Sequence, residues 1–220
     1  MMEMLQKLHA ENELGEDTSE HLRAEVRDFT DMIGLERVVS GRYSVVLLLS
    51  LFGGFKSRMQ NPWKVMREIQ VLEGLRPATH TKPAAPFTRP QLRGLMHKHH
   101  LADGLSSLAQ NLKNEIKRSG LPILKQRIAE AQASGEERYF TVEDANWIAH
   151  EASIGSFERR AERQAFTGEW IIYAQHEGKN YYLCLGHHDS GDADLHRQIE
   201  AVCCAEFTFL RQLPAFNQSP

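Results

Sequence analysis

Apolar side chains recur along this chain with two different periods. Leu22, Val26, Phe29 and Ile33 fall on one face of a helix that Gly34 ends, and Asp17 with Glu20 three residues on reads as a capping box at its start. Asn61-Pro62 is an N-cap followed by proline at the first helical position; Trp63, Met66, Ile69 and Leu72 then keep helical spacing as far as Gly74. Between these two patterns, Val45 to Phe52 is almost continuously apolar, which predicts a buried helix or strand. That run reaches only to Phe55, well short of the roughly 20 apolar residues a membrane-spanning helix needs. Residues 1–75 are therefore expected to form a small all-helical unit.

Residues 76–90 hold four of the eight prolines. Each proline removes an amide donor and biases its predecessor towards extended backbone, so this stretch reads as a Pro-rich linker. Beyond it, Leu105, Leu108, Ala109, Leu112 and Ile116 form one helical stripe closed by Gly120, with Asn111 and the charged residues on other faces. Ile123, Leu124 and Ile128 predict a second helix ending at Gly135. Tyr139 to Val142 reads as a brief strand or the approach to a helix, and Thr141 with Asp144 caps a mostly helical stretch running to about residue 165, with a break at Gly155.

The period then changes. Trp170 to Ala174 and Tyr181 to Leu185 are apolar on both faces, with Glu177-Gly178 midway between them, which predicts a β-hairpin covered on each side. A lone hairpin is marginal, so further strands or covering helices must complete it. Asp192 as N-cap, with Leu195, Ile199, Val202 and Cys203 behind it, supplies one amphipathic helix. The expected fold class is thus α+β: a small helical unit (1–75), a linker (76–90) and a helix-rich α+β domain (91–213) containing the hairpin.

With 220 residues, 41% hydrophobic and 25% charged, the chain can build a core without disulfides or metal staples. Its three cysteines, two of them adjacent, do not make a secreted disulfide framework; reduced thiols and a cytoplasmic location are the expectation. The N-terminus has neither the basic nor the apolar region of a signal peptide, and no membrane partner is expected. A formal charge of −3 excludes a uniformly basic nucleic-acid coat. The charge is nonetheless uneven. From Glu3 to Asp31 there are nine acids against three bases, a candidate surface for a protein partner, whereas residues 89–127 carry an excess of +6.

Seven of the eleven histidines lie in two regions: His97, His99 and His100, and then His176, His187, His188 and His196 around the hairpin. Imidazole exchanges protons near neutrality, so such clusters are candidate general acids and bases. A helical reading of the first cluster would put His97 and His100 on one face. Metal-ligand spacing does not follow from it. His150-Glu151 fails as a metalloprotease motif because Ile154 stands where the second histidine belongs, and Asp189 to Asp194 has only the composition of a calcium loop. Neither a nucleotide-binding glycine loop nor a serine-nucleophile elbow occurs, so no cofactor is expected.

These features lead to an expectation of a metal-independent endoribonuclease. One of His97, His99 or His100 would take the 2′-hydroxyl proton and His187 or His188 would protonate the leaving oxygen. Arg93, Lys98, Arg159 and Arg160 are the candidate phosphate-binding cations, and Tyr181 and Tyr182 the candidate base-stacking faces. The order of two helices before a compact hairpin resembles small ribonuclease toxins in outline, with no motif tying the chain to them. Two rival expectations are a non-catalytic adaptor binding a partner protein, and a surface that binds nucleic acid without turnover.

Overall fold

The computed structural model describes residues 20–101, 105–135, 141–166, 168–187 and 190–217. Among the described residues four helices come first: α1, described over residues 20–33, α2 (Leu35–Val39), α3 (Val45–Lys56) and α4 (Pro62–Leu72). A short strand β1 (Ala85–Pro86) and β2 (Met96–His100) follow, then an all-helical excursion of α5 (Leu105–Ser119), α6 (Pro122–Ser134), α7 (Val142–His150) and α8 (Ser156–Glu162). The chain returns as β3 (Glu169–His176) and β4 (Lys179–Gly186), and ends with α9 (Asp192–Gln198) and α10 (Cys204–Glu206). The strands form one antiparallel sheet in the order β1-β2-β3-β4, so the fold is α+β. Among the described residues no helix is long and apolar enough to cross a membrane.

The hairpin lies where its pattern placed it. Its turn puts Glu177 and Gly178 both at positive φ, 49° and 73°, the backbone that joins two twisted strands with two residues. Both faces of the sheet are covered, as their apolarity required. Ile171, Tyr173 and Tyr182 pack against Phe29, Leu47, Leu51, Val65 and Ile69 of α1, α3 and α4, while Ile172, Leu183 and Cys184 pack against Leu195, Ile199 and Cys203. The helices of the first 75 residues, expected as a unit of their own, thus share their core with the sheet.

The edge of β4 is also occupied. Tyr43 bridges Tyr182 in parallel: Ser44 N donates to Tyr182 O at 2.9 Å and Tyr182 N to Arg42 O at 2.8 Å. Ser44 then caps α3, accepting from Leu47 N at 3.0 Å, so one residue both covers a strand edge and starts the apolar helix.

Four sequence expectations are corrected. Residues 94–100 are not helical: Met96–His100 is a strand, which sends His97 and His99 to one face and Lys98 and His100 to the other. The Pro-rich stretch is extended but carries edge strand β1, a position proline tolerates because the outer amide needs no partner. In α5 the buried residues include Asn111 and Glu115, while Leu108 and Ile116 of the expected apolar stripe are exposed, because the neighbouring α8 offers arginines rather than apolar side chains. Gly191, not Asp192, is the N-cap of α9. Asp17 of the expected capping box, and Tyr139 and Phe140, lie outside the described residues, while Thr141 and Val142 begin α7 rather than a strand.

Candidate active site at one end of the sheet

β2 ends, β3 begins and β4 ends at the same edge of the sheet, and the register aligns a row of polar residues there. His100 pairs with Glu169, and Trp170 with Gly186, so His187 follows β4 directly beside Glu169. The Glu169 carboxylate stands between two imidazoles: Oε1 is 2.6 Å from His187 Nδ1 and Oε2 is 4.0 Å from His100 Nε2. Burial differs across the row, with side-chain exposures of 1% for His100, 27% for Glu169 and 59% for His187. One imidazole is enclosed and the other presented to solvent.

A tight turn fixes His187. Its amide donates to Ser190 Oγ at 3.1 Å and its carbonyl accepts from Ser190 N at 3.0 Å. Beside it opens a cleft of about 840 Å³ between the C-terminal end of α3 and α9, lined by Glu169, His187, Ser190 and Arg197 on one side and Ser57 and Gln60 on the other. With Nδ1 directed at the carboxylate, the proton on that nitrogen is held and Nε2 is left as the nitrogen available for exchange. This is how a carboxylate orients an imidazole in acid–base sites.

The remaining candidate residues are distributed as follows. His97 and His99 lie on the opposite face of the sheet in an aromatic group with Phe87 and Trp170, ring centroids 4.7 to 6.3 Å apart. Burial, with the Lys82 charge adding to it, holds His97 below the ordinary histidine range, which favours the neutral ring. His99 Nδ1 is 3.1 Å from Gly168 O. The structure therefore brings His100 and His187 together through Glu169 and leaves His97 and His99 away from them. His188 lies outside the described residues.

The candidate phosphate-binding cations mostly face inward. Lys98 is buried against Glu68, with Nζ 3.2 Å from Oε2. Arg160 Nε donates to Asn111 Oδ1 at 2.7 Å, and Arg159 lies 3.9 Å from Glu115 and 3.8 Å from Glu151. Arg93 is exposed. Tyr182, expected as a stacking face, is buried and donates to Glu73 Oε1 at 2.7 Å, while Tyr181 packs against Phe207 and Phe209.

Glu169 was missed in the sequence. Its signal was an acid directly before an apolar strand, and recognising it needed the register that sets it between two histidines distant in the chain. Arg197 carries no signal in the sequence that separates it from other exposed charges. Compared with known proteins, the chain matches no family model, no curated protein and no solved structure.

Proposed function

We propose that the cleft beside His187 is a reaction centre and that the chain is an acid–base enzyme acting on RNA phosphodiesters. The observation that carries this reading is the 2.6 Å contact by which Glu169 orients an exposed histidine on the cleft wall. RNA suits a site with one accessible imidazole because the substrate brings its own nucleophile. His187 Nε2 takes the proton of the 2′-hydroxyl, the freed oxygen attacks phosphorus, the bond to the 5′-oxygen breaks, and that oxygen takes a proton from water, whose hydroxide then receives the proton held by His187. Arg197, on the same cleft and paired there with Asp194, would turn from that carboxylate to meet the phosphate oxygens. His100, enclosed behind Glu169 with Nε2 4.0 Å from Oε2, is too buried to touch substrate.

The test is incubation of the purified chain with mixed cellular RNA, with and without EDTA, beside His187→Ala and Glu169→Gln. Cleavage in EDTA that His187→Ala abolishes and Glu169→Gln reduces by 10-fold or more is expected, in line with the roughly 10²–10⁴-fold contribution of a positioned acid or base. Cleavage that survives in His187→Ala, or intact RNA in every lane, removes the reading.

A further inference from the structure

The corner between α3 and α4 differs in charge from the acidic start of the chain. Residues 56–67 hold Lys56, Arg58, Lys64 and Arg67 and no acid. Lys56 is answered by Glu25 of α1, with Nζ 2.9 Å from Oε1. Arg58 and Arg67 are exposed and make no ion pair with a described residue.

Contacts join these residues into one surface. Trp63 and Arg67 stand four residues apart on α4 and so share a helix face. The Trp63 ring meets Phe55, at the end of α3, with centroids 5.8 Å apart, and Arg58 N donates to the carbonyl of the same Phe55 at 3.0 Å. One phenylalanine thus connects Arg58 with the face that carries Arg67. Despite that contact Trp63 remains 47% exposed.

The backbone at Arg58 is strained as well. Its φ is 57°, a conformation in which glycine ordinarily closes a helix. Lys56 already places a cation in the last turn of α3, so the helix end does not call for a second. A bulky side chain held at such a φ is a pointer to function. Its neighbours Ser57, Met59 and Gln60 line the cleft onto which His187 opens, which sets Arg58 on the rim.

Unpaired cations beside an exposed indole match a nucleic-acid strand, whose phosphates take the charge and whose bases stack on the ring. A duplex keeps its base faces within its own stack, so only a single strand offers both. We propose that Arg58, Trp63 and Arg67 form a surface that holds single-stranded RNA where it leaves the His187 cleft. The choice of RNA rests on the reading of that cleft given above, whereas binding at the corner does not require its chemistry.

Fluorescence anisotropy of the full chain tests it, with a labelled 2′-O-methyl oligoribonucleotide of mixed sequence as the probe. That strand lacks the 2′-hydroxyl nucleophile and is bound without being cut. The wild type is expected to bind it about 10-fold or more tighter than the same strand in a duplex. Trp63→Ala and Arg58→Gly should each weaken binding by about 5-fold or more. Arg58→Gly with Arg67→Gln should take about 1.4 from the slope of log affinity against log salt, as two lost single-strand phosphate contacts require. Lys179→Gln removes an exposed cation at the hairpin turn, the other end of β3 and β4 from Glu169, and should bind as the wild type does. A wild type that does not bind overturns the proposal, as does a duplex bound equally tightly, corner variants that bind like the wild type, or an equal loss in Lys179→Gln. Should Trp63→Ala fail to fold by circular dichroism, Arg58→Gly decides, because glycine adopts that φ freely. Intact RNA in the cleavage assay with the probe held at the corner removes the reaction and keeps the surface; cleavage with binding that the corner variants leave unaltered does the reverse.

Discussion

Lys98 on β2 and Glu68 on α4 form an ion pair sealed between helix and sheet, with side chains 4% and 5% exposed. Both are further satisfied by the stretch between them in sequence: Thr79 Oγ1 donates to the Glu68 carboxylate at 2.8 Å, and Lys98 Nζ donates to Lys82 O at 2.7 Å and to Thr81. Breaking one partner leaves a buried charge uncompensated, which costs about 3–5 kcal/mol, whereas replacing both with apolar residues removes the charge altogether. Glu68→Gln is therefore expected to lower the urea midpoint strongly, and Glu68→Leu with Lys98→Met to recover most of the loss. Equal destabilisation by the single and the double variant would contradict this.

Glu73 predicts acid sensitivity. Burial alone would raise its pKa, but hydrogen bonds from Arg42 at 2.6 Å, Tyr182 and Asn180 outweigh it and hold the carboxyl below the ordinary carboxylate range. A carboxylate whose native pKa is depressed contributes stability that is complete above its unfolded pKa and is lost as pH falls through the native value. Stability should thus decline below about pH 4.5, and Glu73→Gln should flatten that limb of a denaturation series while lowering stability near neutrality.

His97 predicts a second slope, nearer neutrality. Its native pKa is depressed by burial, so the unfolded chain takes up the proton first. The stability from its neutral form is complete above about pH 6.5, the unfolded value, and is lost as pH falls towards the native one. His97→Phe keeps an aromatic ring beside Phe87 and Trp170 and is expected to remove that slope below about pH 6.5; an unchanged slope would assign it elsewhere.

Glu151 predicts a local effect. It caps α6 through two backbone amides from a position 27 and 28 residues further along the chain, and α6 has no buried residue to hold it otherwise. Glu151→Ala should cost about 1 kcal/mol, as losing a cap does. It should speed amide exchange across α6 while the amides of β3 and β4 keep their protection.

The parts of the fold legible in the sequence were those that local chemistry decides. Asn61 caps α4 with Pro62 behind it, Thr141 and Asp144 form the capping box of α7, and the β3–β4 hairpin turns at Glu177-Gly178. What was illegible depended on distant partners. Met-His-Lys-His-His has no strand pattern, and it becomes a central strand because Glu68 neutralises its lysine and an aromatic group receives His97 and His99. Half of the site was visible as His100 and His187. The other half, Glu169, follows from strand register, which the periodicity of a single chain does not set.

The shared core also orders events during synthesis. Phe29, Leu47, Leu51, Val65 and Ile69 leave the ribosome early, but Ile171, Tyr173 and Tyr182, which close the core over them, are made more than a hundred residues later. At about 5–20 residues per second, the apolar faces of α1, α3 and α4 wait several seconds for their cover. A nascent chain halted before residue 170 is then a substrate for chaperones rather than a folded half, and the helical excursion made in the interval lengthens that exposure.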